Sequence, residues 1–177
     1  AIPYLVPNTS IFLDAGTTVM SLVRQLPNQH YTIVTSGANI AIELSQRSRS
    51  TVSCVGGQIS SSTLSLSGPQ AEAFLATVNI DTAVLAATGY SAGAGFTVGS
   101  YTENSLKRRV IQKADKVILL IDRSKLGRTL PFTFASLSDI DVVICDAPLP
   151  EDFIQAARAA GTEVLQVQPA NKQKRTL

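Results

Sequence analysis

The chain has no tryptophan, one histidine, one methionine and only two cysteines. Each scarcity excludes something. A single histidine, His30, in a turn after "LPNQ" and without a cysteine nearby, cannot build a zinc site and reads as a surface residue. Cys54 and Cys145 lie in the apolar runs "TVSCVGG" and "DVVICDA", with no CxxC spacing, so they read as reduced core thiols rather than a disulfide framework or a metal site. Charge is also scarce, at 16% of residues, and the net charge is only +2. That is too little for a nucleic-acid-binding surface. No apolar run reaches the roughly 20 residues of a membrane-spanning helix. The start, "AIPYLVPNTS", carries neither a basic region nor a small-residue cleavage pattern. These absences predict a cytoplasmic protein with no membrane association, no metal and no cofactor. The excess positive charge is partly terminal, in Lys172, Lys174 and Arg175, which read as a solvated tail.

What the chain does have is apolar content, 45% of its residues. Short apolar runs alternate with amphipathic ones. "SIFLD", "YTIVTS", "TVSCVGG", "IDTAVLAATG", "DKVILLIDR", "IDVVICDA" and "TEVLQV" read as strands. "TTVMSLVRQL", "ANIAIELSQR", "PQAEAFLATV", "TENSLKRRVIQKA" (capped by Thr102) and "PEDFIQAARAAG" (ending at Gly161) read as helices. "STLSLSG" reads as a short strand or an extended loop. "GYSAGAGFTVGS" reads as a Gly-rich loop and "SKLGRTLPFTFASLSD" as a long one. Strand–helix alternation with near-continuous apolar strands predicts an α/β fold, a mainly parallel open sheet with helices on both faces. All 177 residues read as one domain, and the low charge hints at a homo-oligomer.

Ligands of open α/β sheets bind beyond the carboxyl ends of the strands. The sequence at those ends is selective. "DAGTT" supplies Asp14, Gly16, Thr17 and Thr18, "TSGAN" supplies Thr35, Ser36 and Gly37, and "GG" supplies Gly56 and Gly57. "TGYSAGAGFT" contributes Gly89, Gly95 and Thr97, and "DRSK" contributes Asp122 and Lys125. Glycines permit close backbone approach and hydroxyls add donors, so the pattern predicts a small pocket for an anionic ligand. For "DAGTT" alone, an ordinary helix start remains the simpler alternative. Glu103 and Lys107, spaced i and i+4, are either a routine helix ion pair or pocket residues. Asp122 and Lys125 are either turn chemistry with a surface lysine or a phosphate-holding pair.

"FLDAGTT", "VTSGANIA", "CVGG", the Gly-rich stretch and "ENSLKRRVIQKADKVILLIDRSKLG", in that order, resemble the C-terminal sensor domain of DeoR-family bacterial transcription regulators. The resemblance runs from about Ser10 to Val167. It implies a fold similar to ribose-5-phosphate and glucosamine-6-phosphate isomerases, whose first strand-to-helix loop holds the substrate phosphate. By that resemblance "DAGTT" is a phosphate cradle, and the ligand is a phosphorylated sugar or sugar-like effector.

The resemblance also implies that the chain is not an enzyme. The isomerases carry acids in the loop after the long central strand, whereas no Asp, Glu or His occurs from Thr82 through Tyr101. A hydroxyl is a poor base near neutral pH. The alternatives are a sugar-phosphate isomerase and a pure oligomerisation module. DeoR-type regulators add an N-terminal helix-turn-helix. The first strand begins about ten residues in, so DNA binding is expected to belong to a longer parent protein.

Overall fold

Seven strands of the computed structural model, which describes residues 1–47 and 49–167, share one sheet. They are β1 (Ser10–Leu13), β2 (Thr32–Thr35), β3 (Thr51–Cys54), β6 (Ile80–Ala86), β9 (Ala114–Ile121), β11 (Val142–Cys145) and β12 (Glu163–Gln166). Their order is β12-β11-β9-β6-β1-β2-β3, and every pairing is parallel. The helices are α1 (Thr17–Val23), α2 (Ala38–Arg47), α3 (Pro69–Ala76), α4 (Tyr101–Lys113) and α5 (Glu151–Ala160). The expected α/β class holds, and the sheet is wholly rather than mainly parallel.

Strand alternation splits the core in two. Phe12, Leu85, Leu119 and Val143 point to the face covered by α3, α4 and α5. Ile11, Leu13, Val84, Ile118 and Ile144 point to the face covered by α1 and α2. Burial on both faces is why these strands read as continuous apolar runs. Because all seven strands run the same way, the chain segments after β1, β2, β6 and β9 emerge at one edge of the sheet.

The structure corrects the reading in four places. The supposed Gly-rich loop is a hairpin of β7 (Gly89–Ser91) and β8 (Gly95–Val98), and the supposed long loop contains β10 (Phe132–Ala135). Together they form a three-stranded sheet, β10-β8-β7, whose Tyr90, Phe96 and Phe134 enter the core, with the Phe96 ring tilted against each of the other two. Cys54 is exposed, because β3 is an edge strand; Cys145 is buried as expected. Helix α4 takes Ser100 as its N-cap, and the Thr102 hydroxyl instead meets those of Ser67 and Ser100 at 3.0 Å each. "STLSLSG", read as a short strand or an extended loop, holds the short strand β5 (Leu66–Ser67), which pairs with β4 (Gln58–Ile59) in a two-stranded ribbon. Lys172, Lys174 and Arg175 lie outside the described residues.

The hairpin explains two glycines. Gly95 has φ +72°, and a Cβ there would sit 2.5 Å from the Ala135 carbonyl oxygen. A Cβ on Gly89 would sit 2.6 Å from the Arg128 carbonyl oxygen. Both glycines admit protein backbone. Gly161, by contrast, caps α5 in the left-handed region with open space around it. Gly161→Ala is therefore expected to cost about 1 kcal/mol of stability, and Gly95→Ala about 3 kcal/mol, since a forced backbone shift adds to the strain. Chemical denaturation of the two variants gives the comparison.

Candidate functional site

Asp14, the first residue after β1, is 3% exposed. Its Oδ1 accepts from the Ala15 N–H at 2.9 Å and the Ser36 hydroxyl at 3.3 Å. Its Oδ2 accepts from the Ala86 N–H at 3.0 Å and from the Lys107 ammonium. Lys107, on α4, is 2% exposed and also donates to the Ala86 carbonyl at 2.9 Å. The ring of Phe134 lies 5.4 Å from its Nζ. One carboxylate and one ammonium thus pin the ends of β1 and β6 to α4, and Asp14 fixes the backbone at the start of the "DAGTT" loop.

Lys107 has a second acidic neighbour, Glu103, at 3.4 Å. Burial opposes the lysine's charge, but Asp14 and Glu103 together outweigh it and hold its pKa above the ordinary lysine value of 10.5. Glu103 is three-quarters buried and faces a cleft of about 370 Å³. Eight Ser and Thr hydroxyl side chains line that cleft, from the β4–β5 ribbon, from Thr88 after β6, and from Ser100 and Thr102 at the start of α4. Glu103 is its single carboxylate, and Gln58 adds an amide. The first turn of α4 has no side-chain cap and opens onto this cleft. Chemically, this is a surface that can both donate to and accept from many hydroxyl groups, with one fixed acceptor.

The residues singled out in the sequence are thus distributed. Asp14, Ser36, Glu103 and Lys107 form one network. Thr35 donates to the Leu13 carbonyl at 2.7 Å and accepts from the Gly37 N–H at 3.0 Å, which sets the turn after β2. Thr97 is fully buried, donating to the Gly89 carbonyl at 3.2 Å and accepting from the Leu130 N–H at 3.1 Å. Gly16 has φ +113°, a Cβ there would meet no atom within 4 Å, and Thr17 is exposed. Thr17, Thr18 and Asp122 line a different cleft of about 670 Å³, on the α1 face of the sheet, together with Asp146. Asp122 accepts from the Ser124 N–H at 2.9 Å and pairs with Lys125 at 3.7 Å, both side chains about a third exposed. That is turn chemistry with a surface lysine.

Sequence reading missed the hydroxyls of the ribbon and of Thr88, Ser100 and Thr102. The signal was the Ser/Thr density of "QISSSTLSLSG", which fits neither helix nor core strand. Lys107 was also legible as buried: it shares the stripe Glu103, Leu106, Lys107, Val110, whose spacing marks the inward face of α4.

The comparisons with known proteins agree with this geometry. The family model of the DeoR C-terminal sensor domain matches residues 1–147. The chain belongs to the DeoR C-terminal sensor domain family. It is 35% identical over 166 residues to the HTH-type transcriptional regulator GlpR of Haloferax volcanii, covering 93% of this chain and 65% of that protein. It is 31% identical over 155 residues to the HTH-type transcriptional repressor GlcR of Bacillus subtilis, covering 88% and 60%. The sensor domain therefore spans about three fifths of the length of these relatives. Its fold is that of ribose 5-phosphate isomerase A from Methanocaldococcus jannaschii, with a TM-score of 0.51 at 15% identity over 73% of this chain and 51% of that one. The relatives named here are transcriptional regulators, and the likeness to the isomerase is one of fold. No helix among the described residues is long and apolar enough to cross a membrane.

The network makes a sharp distinction between two lysines. Lys107→Met leaves the Asp14 carboxylate buried without its cation and is expected to cost about 3–5 kcal/mol. Lys125→Met removes a partly exposed pair and should cost less than about 1 kcal/mol. Because the folded-state pKa of Lys107 is raised, its contribution is complete below about 10.5 and fades as pH climbs through the higher folded value. Denaturation of both variants and the parent chain from pH 7 into the alkaline range measures the difference, which should narrow for Lys107→Met only at the alkaline end.

Proposed function

We propose that this domain is the effector-binding part of a sugar-metabolism regulator, acting as a repressor, and that its effector is a phosphorylated sugar or a close analogue. The observation that carries the reading is the hydroxyl-lined cleft with Glu103 as its single carboxylate. Sugars present many hydroxyls that both donate and accept, and a carboxylate accepting two of them fixes orientation. The Glu103–Lys107–Asp14 chain leads from this cleft to the backbone of the Ala15–Thr18 loop. In this reading the sugar occupies the cleft and its phosphate reaches over the strand ends to the backbone N–H groups of the Gly16–Thr18 loop and the hydroxyls of Thr17 and Thr18, which lie on the α1 side of that edge. Thr35, Ser36, Gly37, Gly89, Gly95 and Thr97 shape the site from behind, and Asp122, paired with Lys125, stands beside Thr17 and Thr18 on the α1 side.

The effector acts by favouring one arrangement of a homo-oligomer, which requires different affinity in the two states. The low charge of the chain and exposed apolar side chains such as Val6 and Ile42 support such assembly. DNA is contacted by a helix-turn-helix in the remainder of the parent protein, consistent with the share of each regulator that this domain covers. The cell compartment is the cytoplasm.

Calorimetry with a panel of sugars and their phosphate esters tests the reading. A phosphorylated sugar should bind without being converted, as followed by NMR of the mixture. Glu103→Gln, and separately Thr17→Ala with Thr18→Ala, should each weaken it, by about 1.5–3 kcal/mol per charge-assisted hydrogen bond lost. Conversion of the sugar would make the domain an isomerase, and equal affinity in the Thr17/Thr18 double variant would remove the phosphate from that loop. Fluorescence anisotropy with duplex DNA should show no sequence-specific binding by these residues at physiological salt, because recognition needs side chains at base edges in a groove.

A further inference from the structure

Helix α4 has a second polar face, which the effector cleft does not use. Tyr101, Asn104, Ser105, Arg108, Arg109 and Gln112 recur at helical spacing and, with Glu72 and two alanines of α3, line a groove of about 680 Å³. Asn104 is 7% exposed, and its Nδ2 is buried with no hydrogen-bond partner. An unpartnered buried amide donor carries a desolvation cost that a bound acceptor would relieve. The groove's charge has the matching sign. Arg108 and Arg109 are exposed, and no carboxylate among the described residues forms a salt bridge with either. Glu72 is the one acid lining the groove.

We propose that this α3–α4 groove is a second ligand site, which takes a small anion through its phosphate or carboxylate oxygens. Rotation of the Asn104 side chain brings its orphan Nδ2 out from the wall to donate, and the two guanidinium groups close on the anion from the rim. Arginine suits either oxyanion, because its planar fork offers paired donors to both. The site is separate from the effector cleft: Glu103 and Lys107 face one side of α4, and Asn104 and Arg108 line the other. A ligand held here rests on the same helix whose Lys107 secures the ends of β1 and β6.

The test is isothermal titration of this chain with inorganic phosphate and, separately, with malonate, at an ionic strength fixed by chloride. Binding of at least one is expected, and the stronger binder assigns the ligand class. Arg108→Gln with Arg109→Gln, which alters exposed side chains only, should reduce that affinity tenfold or more. Asn104→Leu should do the same while keeping or raising the melting temperature, since it removes the orphan donor. Should Asn104→Leu fail to fold, the arginine pair carries the test alone. Binding of neither anion would overturn the proposal, as would affinity unchanged by the arginine replacements. Binding that survives those replacements but disappears in Thr17→Ala with Thr18→Ala would place the anion in the effector site. That result would sink the groove and leave the effector reading standing.

Discussion

The ion pair between Asp14 and Lys107 is the constraint on which the rest of this domain depends. Two opposite charges are almost wholly removed from water, and the cost of that removal is offset only because every strong contact is made. Asp14 accepts from two backbone N–H groups, a hydroxyl and the ammonium, while Lys107 reaches Asp14, Glu103 and the Ala86 carbonyl. The pair joins α4 to the two central strands where they end. It thereby fixes the start of the "DAGTT" loop and the position of Glu103 together. Such a polar junction is a demanding way to hold an edge, but it sets loop, strand and helix in one register, where apolar packing alone tolerates sliding.

The architecture was largely legible because a parallel sheet buried on both faces leaves continuous apolar runs, and helices between them leave amphipathic ones. The hairpin of β7 and β8 was not. Its glycines suggested a loop near a ligand, whereas Gly89 and Gly95 are small because the backbones at Arg128 and Ala135 approach them. Glycine density in a sequence reports close approach without saying whether the visitor is a ligand or the protein itself. β10 was lost for a related reason: its partner strand is about 35 residues earlier, and pairing at that separation leaves no local trace. Cys54 shows the limit of apolar context, since its run lies on an edge strand and only sheet order reveals that.

The candidate site was half legible. Charged residues on the strand ends could be read directly, and Glu103 and Lys107 were visible as a pair. Their third member, Asp14, lies 93 residues from Lys107, and no spacing rule connects them. The hydroxyls of the ribbon were visible as composition but had no assigned place until β4 and β5 brought them over the start of α4. The same folding separates Thr17, Thr18 and Asp122 from that cleft, on the α1 face, although all follow strands of one sheet. A shared strand edge is therefore a weaker statement than a shared pocket: each parallel strand can send its chain to either side.

The contrast with an isomerase of the same fold is physical as well as nominal. Moving a proton between neighbouring carbons needs a base free to take it and a partner to return it. Here the segment from Thr82 to Tyr101 has no acid or histidine, and the β7–β8 hairpin fills that region with Tyr90, Phe96 and Val98 packed into the core. The one carboxylate of the hydroxyl-lined cleft, Glu103, shares the buried Lys107 ammonium with Asp14. A carboxylate held in that way presents fixed acceptor oxygens that orient a ligand's hydroxyls. The arrangement thus favours recognition over turnover. It also gives recognition a route into the framework, since a ligand that donates to Glu103 competes with the same lysine that holds Asp14, and with it the ends of β1 and β6.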